Sequence, residues 1–216
     1  METVVTRTTS RVSTLHGILD RPVNRTGRLL LLAAILLLLL GGVLPLWRIS
    51  LVAPQYAEGL TLDMYAYQIV AGNKGQDLAE INTLNHYIGM KPIAQADFLE
   101  MKVLPFAIGV FALLALRSVV IGRIVTLVDL SVLFLYFGVF SLGSFAYRLY
   151  TYGHHLDPRA PMKIAPFMPV VMGSQQIANF VQTSLPLAGT ICMSAFLVLL
   201  IAALVSSVRQ ARREVL

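Results

Sequence analysis

Charged residues are scarce, at 13% of 216 positions, against about 25% in an average soluble domain. With 56% hydrophobic residues and a mean hydropathy of +0.73, that charge cannot cover a soluble surface. The composition therefore predicts an integral membrane protein. Cysteine is nearly absent: Cys192 stands alone inside an apolar run. One thiol excludes a disulfide, a cysteine-based zinc site or an iron–sulfur cluster within one chain. Histidine is limited to four residues, and none falls in a long apolar segment, which argues against a transmembrane haem held by a histidine pair. The chain also lacks Cys-x-x-Cys-His, a Walker A motif, a nucleophile elbow and His-Glu-x-x-His, so it offers no signature of c-type haem attachment, nucleotide hydrolysis or common hydrolytic chemistry. Its apolar segments have too few polar residues and breaks for a transporter.

What is present is a set of four apolar segments. Leu29 to Trp47, Val103 to Leu116, Ile124 to Tyr147 and Pro186 to Val208 are read as membrane spans, because about 20 helical residues cross a hydrocarbon core of about 30 Å. The second is short, but Lys102 and Arg117 can snorkel from its ends, and residues 97–101 can extend it. No small-x-small cleavage site follows the first, so it reads as an uncleaved span rather than a signal peptide. Asp129 is the sole acid inside a span, and pairing with Arg123 or Arg117 is the expected role.

The net charge of +6 and pI near 9.7 do not indicate nucleic acid, because the basic residues flank apolar runs. Residues 1–28, 117–123 and 209–216 hold ten Lys and Arg in 43 positions, while 48–102 and 148–185 hold seven in 93. The positive-inside rule then puts both termini in the cytoplasm. The expected fold is all-α and membrane-embedded, with four transmembrane helices, N-in and C-in. Residues 1–28 form a disordered cytoplasmic tail, 29–208 the membrane domain and 209–216 a second tail. Loops 48–102 and 148–185 face the periplasm of a bacterial cytoplasmic membrane. They form a small mixed cap, with a short β-hairpin around Pro54-Gln55 and a short helix opened by a capping box at Asp77–Glu80 and closed near Gly89. Ile164 to Leu185, uncharged but rich in Pro, Gln and Asn, is too polar for a span and is placed on the membrane surface or against the first loop.

The outer loops concentrate soft and nitrogenous ligands. His86, His154 and His155, with most of the eight methionines, lie in or beside them. Thioether and imidazole together suit copper, especially Cu(I). His86 and Met90 are four residues apart, on one face of any helix that contains both. Asp157 is either a ligand or an orienter of an imidazole. The candidate metal set is thus His86, Met90, His154 and Asp157. The ordinary alternative is structural. Tight Met-x-x-Met spacing is missing, and Asp157-Pro158 is also a turn signal.

Four blocks resemble one known family. They are Ala53-Pro54-Gln55-Tyr56-Ala57-Glu58-Gly59-Leu60, Ile81 to Lys91 (Ile-Asn-Thr-Leu-Asn-His-Tyr-Ile-Gly-Met-Lys), Tyr152-Gly153-His154-His155-Leu156-Asp157-Pro158, and Gly173 to Phe180 followed by Ser184 to Gly189. In order and content they are similar to a family of small polytopic membrane proteins encoded beside nitrous oxide reductase genes (NosB-like), over residues 47–189. Ala57 departs from the family's Pro, and His155 from its Asn, so His86, His154 and Asp157 are the stronger ligand candidates. The resemblance implies a non-enzymatic accessory protein for maturation or copper supply of a copper enzyme. The alternative is a structural or docking subunit of a membrane enzyme complex. Expected partners are the lipid bilayer and a copper enzyme or other membrane subunits. A quinol-accepting relay near Asp129 ranks last, because no redox ligand set accompanies it.

Overall fold

The computed structural model describes residues 16–177 and 179–215. Among the described residues, four helices are long and apolar enough to cross a membrane: α1 (Arg25–Val43), α3 (Glu100–Val120), α4 (Ile124–His154) and α5 (Ala188–Val215). A shorter helix, α2 (Gln76–Tyr87), precedes α3 in the chain. Five strands complete the fold: β1 (Trp47–Ala53), β2 (Tyr56–Met64), β3 (Ile69–Ala71), β4 (Gly173–Ile177) and β5 (Phe180–Pro186). The chain divides into two compact units, one holding residues up to 39, 108–137 and 193 onward, the other 40–107 and 138–192.

In the first unit, the start of α1 is fixed by Asn24, whose Oδ1 accepts Gly27 N–H at 2.6 Å. A side-chain oxygen in this place satisfies one of the free N–H groups of a helix start. Ser207 Oγ donates to the same oxygen at 3.1 Å, and Asn24 Nδ2 donates to Ser206 Oγ at 3.0 Å. The interior is apolar: Leu31, Ala34, Leu38, Ala115, Leu200 and Ala203 are buried. Phe134 meets Phe111 at 5.1 Å and Phe196 at 4.6 Å, both edge to face, the geometry aromatic quadrupoles favour. Ser118 and Ser131 donate their hydroxyls back to Leu114 O and Leu127 O, so neither leaves an unpaired polar group in an apolar setting.

The second unit is built on an antiparallel sheet of order β3-β2-β1-β5-β4. Alternation sets its faces, since successive side chains of a strand point to opposite sides. Leu51 and Ala53 on β1, Leu60 and Leu62 on β2, and Phe180 on β5 are buried, while Val52 and Val181 are exposed. Ile81, Leu84 and Ile88 of α2 and its exit pack onto that buried face. Each such side chain contributes about 1.5–3 kcal/mol by leaving water. On β1 and β2 the paired Arg48 and Asp63 form a two-pronged ion pair at 2.6 and 2.7 Å.

Several expectations are corrected. The expected hairpin around Pro54-Gln55 forms as β1 and β2, but it is part of a five-stranded sheet, because Ile164 to Leu185 lies against the first loop and supplies β4 and β5. Trp47 ends no span. It begins β1, after α1 has ended at Val43 and Pro45 has followed. Residues 25–28 and 209–215 are helical rather than tails, while the expectation of disorder for residues 1–15 lies outside the described residues. The capping box does not form. Gly75 (φ +97°) precedes α2, without a side-chain cap, and Asp77 turns inward. Asp129 is exposed and makes no ion pair among the described residues; Arg123 pairs with Asp20 at 3.3 Å instead. Helix α4 has 31 residues, about 46 Å at 1.5 Å per residue. That exceeds a hydrocarbon core, so His154 lies on its last turn rather than in a loop.

Candidate functional site

The two histidine-bearing blocks meet in the second unit. Helix α2 ends at Tyr87, and Gly89 takes a left-handed conformation (φ +81°), open to glycine at little steric cost. Its carbonyl accepts Asp157 N–H at 2.8 Å, and Tyr87 O accepts Met162 N–H at 2.9 Å. A Cβ on Gly89 would come within 2.9 Å of Asp157 O. Gly153 has a matching role, since a Cβ there would strike Phe167 O and the Pro169 ring, and its carbonyl accepts Phe167 N–H at 3.1 Å. The glycines of both blocks thus permit close backbone approach.

The candidate ligands occupy different settings around this junction. His86 is exposed. Met90 is half-buried against the sheet's core. His154 Nδ1 lies 3.0 Å from Tyr150 O, and its ring stacks on Tyr150 at 3.8 Å. Asp157 Oδ1 accepts Arg159 N–H at 2.8 Å, the turn-forming bond of an Asp two residues upstream. Among the described residues no three His, Cys, Asp or Glu side chains form a metal-holding group. His86, His154 and Asp157 are not gathered into such a group.

Other features carry chemistry that the sequence reading passed over. Arg148 Nη2 reaches both Glu100 carboxylate oxygens at 2.7 Å, and its Nη1 donates to Asp97 O at 2.9 Å. The guanidinium also lies 4.7 Å from the Phe98 ring centroid. Both charges sit at ends of apolar segments, where the sequence assigned them only to span boundaries. Asp77 is only 2% exposed. Its carboxylate accepts Thr61 N–H at 2.8 Å and Asn73 Nδ2–H at 2.7 Å, tying β2 to α2. Tyr56 O–H donates to Glu80, and that bond holds the phenol above its ordinary range, because it favours the protonated form. Ser184, with no exposure, accepts Trp47 Nε1–H at 2.7 Å and donates to Val171 O at 2.8 Å.

These features define a class: a protein with four described helices long and apolar enough to cross a membrane and an antiparallel sheet built from two segments outside them. No protein-family model matches the chain, and no curated protein matches it.

Proposed function

We propose that this chain is a non-enzymatic membrane accessory subunit that docks a partner protein on the junction of its two loops. The observation that carries this reading is the backbone pairing of Gly89 with Asp157 and of Tyr87 with Met162. It brings exposed His86, Tyr87, Asp157, Arg159 and Met162 into one neighbourhood drawn from both loops. Aromatic, Met and Arg side chains are the types enriched at protein interfaces. Lys and Arg density supports a periplasmic position for this surface, in a bacterial inner membrane. The resemblance of the four sequence blocks supports a copper enzyme of the nitrous oxide reductase type as the partner.

The test is co-purification from the native membrane in mild detergent, wild type against Tyr87→Asp and Met162→Asp. A stoichiometric partner held by wild type and lost from both variants is the expected result. A partner retained by both variants overturns the docking surface.

Copper supply is the second reading. It is favoured by the exposed imidazole of His86 and the exposed thioether of Met162, whose backbone bonds the residue next to His86. Such a pair is a soft donor set. Anaerobic copper stoichiometry of wild type, His86→Ala and His154→Ala separates the two readings. Near-stoichiometric copper lost from the variants favours supply, and no copper in wild type leaves docking.

A further inference from the structure

A cavity of about 70 Å³ lies inside the second unit, between the buried face of the sheet, the exit of α2 and the last turns of α4. Most of its wall is aliphatic or aromatic, as with Leu51, Leu62, Ile81 and Phe145. Two polar groups in that wall are unusual. Asn85 is 95% buried, at 5% exposure, and its Nδ2 has no hydrogen-bond partner among the described residues. The Tyr152 hydroxyl is likewise buried without a partner. An unmet buried donor costs about 1–3 kcal/mol, and buried polar atoms in native proteins are nearly all satisfied. Two such atoms lining one cavity call for a common partner.

The chemistry of that partner is constrained. Arg148 also lines the cavity, but its guanidinium is spent on Glu100, Asp97 O and the Phe98 ring. No charge is left over for an ion, so the partner is neutral. Asn85 Nδ2 can only donate, and Tyr152 O–H can donate or accept, so the partner carries an accepting oxygen. Apart from Gln182, the rest of the wall is apolar and calls for an apolar body. An engineered apolar cavity of about 150 Å³ takes a benzene; this one has about half that volume, room for a group of a few heavy atoms. We propose that the cavity binds a neutral, largely apolar ligand with a carbonyl-type oxygen, held by Asn85 Nδ2 and the Tyr152 hydroxyl. Met90, whose side chain lines the same wall, then serves as a flexible apolar surface. This inference does not depend on the docking partner.

The probe pair is 2-butanone and 2-methyl-1-butene, which share a skeleton and differ by oxygen against methylene. The thermal stability of the purified full chain in detergent is measured against increasing amounts of each, for wild type, Asn85→Leu and Tyr152→Phe. Partition into detergent is common to all three proteins and cancels between them. The expected result is a ketone-to-alkene affinity ratio about three- to tenfold higher in wild type than in either variant, the span of one hydrogen bond. Should Asn85→Leu fail to fold, Tyr152→Phe, which keeps the ring, decides alone. A ketone-to-alkene ratio that is the same in wild type and Tyr152→Phe overturns the proposal. So does an Asn85→Leu protein that is more stable than wild type and has the same ratio, since the cavity then serves only water.

Discussion

At the scale of single residues, the chain uses polar groups to fasten the sheet to α2. Tyr56 and Glu80 lie outside the apolar spans, and their hydrogen bond raises the Tyr56 phenol above its ordinary value. A folded-state pKa that is raised contributes stability fully present below the unfolded value, about 10 for tyrosine. The contribution is lost as pH rises through the folded value. Tyr56 is therefore expected to ionise above the ordinary tyrosine range. Ultraviolet titration of wild type against Tyr56→Phe should show a step above that range missing from the variant. Glu80→Gln should move that step toward the ordinary range, because the carboxylate is its main cause. A step unmoved by Glu80→Gln would mean that the hydrogen bond does not set it.

At the scale of elements, the sheet joins segments more than 120 residues apart in the chain, with Trp47 opposite Pro186 and Val52 opposite Val181. Ser184 is the pin of that seam. Ser184→Ala leaves the Trp47 indole N–H and Val171 O without their partner, and loss of a buried partner costs about 1–3 kcal/mol. A lower melting temperature for Ser184→Ala is expected, with Val181→Thr, an exposed position on the same strand, close to wild type. Thermal unfolding in detergent makes the comparison. The four helices were legible in the sequence because a run of apolar residues between charges is a local signal. The β1–β5 pairing was not, because strand partners are chosen by contacts between distant segments. Ile164 to Leu185 carries Pro, Gln and Asn, whose polarity hid β5's alternation of buried Phe180, Gln182 and Ser184 with exposed Val181 and Leu185. At the candidate site, the sequence pointed to the two blocks that meet. The turn at Asp157 and the helix end near Gly89 were legible there, whereas the close packing at Gly89 and Gly153 was not, because it depends on segments distant in the chain. Asn85 lay inside a quoted block, but only its burial beside a cavity marks it out.

At the scale of the whole molecule, the sheet constrains topology independently of charge. Strands β1 to β3 lie between α1 and α3, and β4 and β5 lie between α4 and α5. Because β1 and β5 are hydrogen-bonded, these two stretches must share one side of any membrane the helices cross. Between them in the chain stand α3 and α4, two crossings, which return the chain to its starting side. Had the short second span, Val103 to Leu116, not been a crossing, the two halves of the sheet would be separated. The register thus supports the reading of residues 100–120 as a full span, and charge density then chooses which side the sheet occupies. The prediction is tested in a Cys192→Ser background, with single cysteines at exposed Glu58 and exposed Arg213. A membrane-impermeant maleimide applied to spheroplasts, whose cytoplasmic membrane stays sealed, should label Glu58→Cys at once and Arg213→Cys only after lysis. The reverse order would invert the orientation and leave the sheet in the cytoplasm. Labelling of both before lysis would mean that the termini and the sheet share a side, which four crossings together with this strand pairing forbid.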